Sequence, residues 1–379
     1  MGKVPALNLV NLRIARENIG FDTSFVSGRI SATKKDVVAD WESGKNLPTW
    51  SQLKKISHLY EVSELLLLSS EEAIPHNKRI SDFRTGTEKD DSSEIGVKKL
   101  VNLVIARQRW LEGVLREEGF KKNKVQGLGG SIENPQKLAE LISVTLKIDL
   151  DEIKNFMGKG ARKKALDYII SKAEAQGIFI GKTISFHRIE VEAMRGLFVS
   201  NDYCPFIVIN RADSLSAQIF SLIHELAHLF KKSDGISNSL DFRAKQGSDP
   251  EEIFCNRVAV ELLLPASEFK LAKYEKKDID SLSVLYKLSP LAIFYRLKEL
   301  GKIRVDEEKQ LERDIQRESK EAVVRMELKK SESGGGDYNN AMRDSNGSLF
   351  NRVVLNHYLE RRLNYIEASG LLKFNVEKA

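Results

Sequence analysis

Cysteine is nearly missing from this chain: Cys204 and Cys255 are the two among 379 residues. Two thiols build no disulfide framework, and each sits in an apolar run, where a buried free thiol is the default. Long apolar runs are missing as well. Leu65–Leu68 is far shorter than the ~20 residues that span a bilayer, and no apolar h-region follows the N-terminus. No membrane association is expected, and a cytoplasmic location is. Charge of one sign is scarce. Lys and Arg number 60 and Asp and Glu 54, so the net charge is only +6 at a pI of 9.0. Such mixing excludes a polycation, is compatible with nucleic acid contact and does not demand it. The glycine run Gly127-Leu128-Gly129-Gly130 lacks a following Gly-Lys-Ser/Thr and a preceding strand, which argues against a phosphate cradle. No tandem repeat is visible. What remains is a chain long enough for two or three domains, with 41 % hydrophobic residues to fill their cores.

The most informative stretch present is His224-Glu225-Leu226-Ala227-His228. Residues four apart on a helix share a face, so both imidazoles can reach one ion, with Glu225 beside them as a proton acceptor. Helical spacing is expected from Ser216 to Lys231, apolar nearly all round as in a buried helix, with Asp213 or Ser214 as cap. Catalytic zinc takes three protein ligands and leaves a place for water, so a third ligand must come from another element. Asp249-Pro250-Glu251-Glu252 opens a second helix, with Asp249 as N-cap and Pro250 as first residue, ending at Pro265. A carboxylate in its first turn completes the site, Glu252 or its competitor Glu251. Glu252 also occupies the position from which a capping box is closed. Asn256, on the same face, is placed to orient a ligating histidine. Imidazole and carboxylate accept Mn2+ or Fe2+ as well as Zn2+.

The segments Ile223–Leu229, Glu252–Ala259 and Leu262-Leu263-Leu264-Pro265 together resemble the ImmA/IrrE family of metallopeptidases. Arg195-Gly196-Leu197-Phe198 and Pro205–Asn210 resemble the strands that precede that family's metal helix. Ala227 stands where Gly is frequent and Cys255 where Ala is frequent; neither change removes a ligand. The resemblance implies His224, His228 and Glu252 as metal ligands and Glu225 as general base. It also implies a substrate class, repressor proteins whose cleavage releases silent genes.

Residues 1–70 read as a separate helical unit of helix, short helix, turn and third helix, the pattern of a helix-turn-helix DNA reader. A helix is expected from Leu9 to Gly20, a short one after Asp22 or Thr23, a third from Lys34 to Trp41 and a fourth after Pro48. Val37-Val38-Ala39-Asp40-Trp41-Glu42-Ser43-Gly44-Lys45-Asn46-Leu47-Pro48 resembles the XRE/Cro-type helix-turn-helix family. That resemblance implies that Thr33, Lys34, Lys35 and Asp36 face the major groove of double-stranded DNA and that Ser43 and Lys45 touch phosphate. The unit reads Asp22-Thr23-Ser24 where the family has Thr-Gln, and its net charge is only +2. A protein-docking helical module is the competing reading.

Residues 71–130 are read as a linker over 75–97 followed by a helical connector, 131–305 as the metallopeptidase domain and 306–379 as a helical C-terminal extension. Helices are expected over 134–146 and 162–175, and strands over 177–180, 196–199 and 205–208. Tyr286, Tyr295, Arg296 and His187 are candidates to stabilise an oxyanion. The expected fold class is α+β and mainly helical, a helix-turn-helix bundle joined to a zincin-like domain with a small sheet. The expected function is a zinc endopeptidase that cleaves a repressor or antitoxin and is targeted by its DNA-binding unit, with a homodimer as one possible assembly. The rival expectation is a DNA-binding regulator whose metallopeptidase-like domain only senses a ligand or binds a partner.

Overall fold

Where the apolar positions bury themselves divides the chain into two units. The first spans Met1–Trp110, with Ile189 assigned to it; the second spans the described residues from Leu111 to Ile184 and from Glu190 onward. The computed structural model describes residues 2–30, 36–72, 74, 91–184, 189–232, 235–237, 249–332 and 338–378. The fold is α+β and mainly helical, with one small sheet.

The first unit packs α1 (Leu9–Ile19), α2 (Thr23–Ile30), α3 (Val37–Glu42), α4 (Trp50–Tyr60) and α5 (Glu64–Leu68) around Leu12, Val26, Val38, Trp41, Leu53 and Ile56. Each boundary has a local cause. Asn8 caps α1 by accepting from the Asn11 N–H, and α1 stops at Gly20. Thr49 and Gln52 form a reciprocal capping box on α4. Helix α3 begins at Val37 with Asp36 as its N-cap. The expected start at Lys34 falls among residues 31–35, outside the described residues. Arg16 on α1 grips Glu42 at the end of α3 by two hydrogen bonds of 2.7 and 2.9 Å, and donates a third to the Phe21 carbonyl at 2.8 Å. The border between the units falls within α6 (Asp91–Glu117). This helix starts inside the stretch expected to be linker, because residues 91–96 are polar apart from Ile95 and Gly96 and apolar spacing shows only from Val97 onward.

In the second unit, α7 (Pro135–Leu146), α8 (Leu150–Asn155) and α9 (Ala161–Glu174) precede the sheet. The strands are β1 (Phe179–Lys182), β2 (Gly196–Val199), β3 (Phe206–Ile209) and β4 (Gly235–Ser237), in the spatial order β1-β3-β2-β4. Strand β1 runs parallel to β3, whereas β3–β2 and β2–β4 are antiparallel. All four residues of β1, β2 and β3 are buried, so β2 and β3 read as continuous apolar runs rather than alternating ones, and β1 does so up to Lys182. Strand β4 has no counterpart among the expected elements: Gly235 reads in sequence as a helix stop, and three residues carry too little pattern to show a strand.

Helix α10 (Leu215–Lys231) packs on β2 and β3, and α11 (Pro250–Leu263) packs against α10 and α7. Ser214 caps α10, and Asp249 caps α11 with Pro250 in its first turn. The glycine run closes the other end of α10. Gly127 and Gly129 donate their backbone N–H groups to the carbonyls of Leu229 and Phe230, both at 2.9 Å. A helix leaves its last carbonyls without partners, and here a distant loop satisfies two of them. Helices α12 (Lys276–Tyr286), α13 (Pro290–Glu299) and α14 (Glu308–Glu332) follow, then α15 (Tyr338–Asn346), α16 (Ser348–Leu359) and α17 (Tyr365–Leu372).

The last helices cover the β1 edge. Lys182 pairs with Asp344 at 2.9 Å, the Leu349 N–H donates to Glu174 at 3.0 Å, and Phe350 meets Phe206 edge-on. Gly347 has φ +82°, and a Cβ on it would fall 1.9 Å from the Ile180 carbonyl oxygen, so α16 can approach β1 only through a glycine. A covered edge cannot template another strand. No helix among the described residues is long and apolar enough to cross a membrane.

The Arg16–Glu42 pair supplies a test of the first unit. Glu42→Ala leaves a largely buried guanidinium without its carboxylate and is expected to destabilise that unit by about 3 kcal/mol. All three tryptophans lie in this unit, so intrinsic fluorescence during urea unfolding checks the value.

Candidate metal centre

Helix α10 is buried from Gln218 to Phe230, and His224, Glu225 and His228 are 2 %, 0 % and 4 % exposed. Polar groups so deep need partners, since an unpaired buried polar atom costs on the order of 1–3 kcal/mol. The partners come from α11. Glu252, in its first turn, lies with Oε2 3.3 Å from His224 Nε2 and Oε1 3.1 Å from His228 Nε2. The two Nε2 atoms are 3.0 Å apart. Among the described residues these three side chains form the group of potential metal ligands, and Glu251 is outside it. The Asp249 side chain accepts from the Glu251 N–H, and Glu252 turns to the imidazoles rather than back to the cap.

The residues fit a metal ion. A tetrahedral ion with bonds of about 2.0–2.2 Å holds its donors roughly 3.3–3.6 Å apart. The separations of 3.0, 3.1 and 3.3 Å come within a few tenths of an ångström of that triangle. Two imidazoles and a carboxylate are also the donor chemistry of a catalytic zinc site. Asn256 favours the charged form of His224, and Cys255 that of His228. Adjacent residues of α11 thus act on the two histidines. In sequence Asn256 is placed to orient a ligating histidine, whereas Cys255 reads only as a buried thiol. It is buried, free and outside the donor group.

The ionisation of these groups in the ion-free protein follows from their surroundings. Burial opposes the charge of Glu252, but hydrogen bonds and charge from both histidines outweigh it and hold the carboxyl well below its usual range. Burial lowers the pKa of His224. Burial also opposes the charge of His228, but Cys255 and Glu252 raise its pKa well above the ordinary imidazole value.

Other candidates fall elsewhere. Tyr286 donates to Glu268 at 2.8 Å and Tyr295 to Glu312 at 2.7 Å. Arg296 is buried, donating to the Leu264 carbonyl and pairing with Glu261 and Glu299. These three side chains are engaged in contacts of α12, α13 and α14 with their neighbours. His187 lies outside the described residues, as do Thr33, Lys34 and Lys35. Asp36, Ser43 and Lys45 are exposed. Gly196 reads in sequence only as part of a strand, yet it lies directly against the Glu225 carboxylate. A glycine in an otherwise apolar strand is the one sequence signal of close approach there.

Residues 181–298 match the family model Peptidase_M78, described as the IrrE N-terminal-like domain. The match covers β1 to α13, the metal centre included, and supports the ImmA/IrrE resemblance at the level of a peptidase-family domain. No curated protein and no solved structure matches the chain.

Two outcomes follow. His224→Ala and Glu252→Ala are each expected to abolish stoichiometric metal in elemental analysis of zinc-reconstituted protein. A proton on His228 competes with an ion, so zinc affinity is expected to fall as pH drops below the raised His228 pKa. Chelator competition across a pH series measures that fall.

Proposed function

We propose that the second unit is a zinc-dependent endopeptidase whose substrate is a transcriptional repressor or antitoxin. The observation that carries this reading is the buried Glu225 set between two histidines whose Nε2 atoms and Glu252 make one three-donor group. The Peptidase_M78 match adds that such domains are peptidases, which makes a protein the substrate class.

In this reading His224, His228 and Glu252 hold the ion, with Mn2+ or Fe2+ as alternatives of similar donor preference. The bound ion supplies Lewis acidity to the scissile carbonyl and to an attacking water. Asn256 and Cys255 keep the two rings in place. Glu225 takes a proton from the attacking water and delivers it to the leaving amine nitrogen, the shuttle that amide hydrolysis needs. Its complete burial keeps bulk water from competing for that proton.

The first unit is proposed to bind double-stranded DNA as an XRE/Cro-type helix-turn-helix, bringing the peptidase to an operator. What supports this is the Val37–Pro48 pattern and the exposure of Ser43 and Lys45 after α3. The domain limits proposed are 1–70 for the DNA reader, 71–130 for the connector, 131–305 for the peptidase and 306–379 for the extension. A homodimer would suit a two-fold operator.

Glu225→Gln tests the enzymatic reading. Zinc-loaded wild type is expected to cut a repressor or antitoxin encoded beside it, and Glu225→Gln to keep one zinc yet lose at least roughly 100-fold in rate. Equal cleavage by both would remove Glu225 from the chemistry. Regulation in cells that survives this substitution would favour the sensing regulator instead.

A further inference from the structure

Gly196 opens β2 and is held on both sides, registered with Ile209 of β3 and Ser237 of β4. Its φ is not in the left-handed region, so the backbone conformation itself does not call for glycine. The space around it does. A Cβ built on Gly196 would lie 2.2 Å from Oε1, 2.7 Å from Cδ and 2.8 Å from Cγ of Glu225. All three of its nearest atoms belong to that one side chain, and none belongs to His224, His228 or Glu252. Glu225 is fully buried on a helix packed against β2 and β3.

We propose that Gly196 is a positioning residue: its missing side chain is the slot in which the Glu225 carboxylate is held for proton transfer. Any larger residue must move something. Strand β2 is paired on both sides and cannot recede without breaking two ladders. The Glu225 side chain has three torsions and is the part that gives way. Misplacement of a reacting group by about 1 Å costs on the order of 100-fold in rate. Metal binding is spared, because the ligands lie outside the contact. This inference rests on Glu225 as the general base.

A double-mutant cycle tests the slot without any substrate. Gly196→Ala is expected to lower the thermal midpoint of zinc-free protein by roughly 3–10 °C, the cost of overpacking. In a Glu225→Ala background, where the clashing atoms are gone, the same change is expected to cost nothing or to stabilise. Equal losses in both backgrounds would overturn the contact. If Gly196→Ala alone fails to fold, recovery of folded protein in the double variant supports the contact. A double variant that stays unfolded while Glu225→Ala folds speaks against it.

The positioning role is read in zinc-loaded protein with labelled casein as probe. Gly196→Ala is expected to keep one equivalent of zinc and an unchanged KM while kcat falls about 100-fold. Unchanged kcat would sink the positioning role even if the cycle shows the clash. Wild type that binds zinc but cuts neither casein nor the neighbouring repressor would instead count against the peptidase reading, with the cycle still judging the slot.

Discussion

A helix buried along almost its whole length carries two histidines and a glutamate into the core, and the surrounding structure is arranged around that constraint. Ionisable groups do not sit in an apolar interior without partners. Helix α10 offers His224, Glu225 and His228 at such depth that solvent satisfies none of them fully. Glu252 answers both imidazoles, Asn256 and Cys255 favour the charged form of one ring each, and the Glu225 carboxylate lies directly against Gly196. One helix, α11, brings Glu252, Cys255 and Asn256 to the site within five residues, because positions 252, 255 and 256 share a helical face.

The rest of the second unit keeps α10 where that arrangement needs it. Strands β2 and β3 form the floor under it, and α7 and α9 close its sides. The loop at Gly127–Gly129 ties its last carbonyls, and the Lys231 ammonium reaches back to the Gly130 and Ile132 carbonyls. A site whose donors must stay within a few tenths of an ångström is held by elements rather than by loops. At the opposite side of the sheet, α15 and α16 seal β1 with Lys182–Asp344 and the close approach at Gly347. Among the described strands, β4 forms the other edge of the sheet, next to the strand that holds Gly196.

Local signals carry far in this chain. The cap Asp249-Pro250 marks the start of α11, and the limits of α7, α9 and α10 lie within a residue of what capping and apolar spacing suggest. Strand β2 matches its expected span, while β1 and β3 sit one or two residues later, since strand ends in an all-apolar run have no alternation to mark them. The expected linker over 75–97 is too long: α6 already begins at Asp91. Tyr286, Tyr295 and Arg296 cannot be placed by spacing, because a hydroxyl or guanidinium near a motif in sequence says nothing about which carboxylate it meets in space.

The order of residues alone determined which chemistry is on offer: a pair of imidazoles one turn apart, a glutamate between them and an acidic helix start downstream. It did so because helix geometry is local, and a spacing of four is a distance. Only the folded chain decided which of two neighbouring glutamates meets the imidazoles and that a strand glycine lies against the carboxylate. Those are contacts between segments remote along the chain, and their distances are set by how helices and strands pack, which no short stretch of sequence encodes.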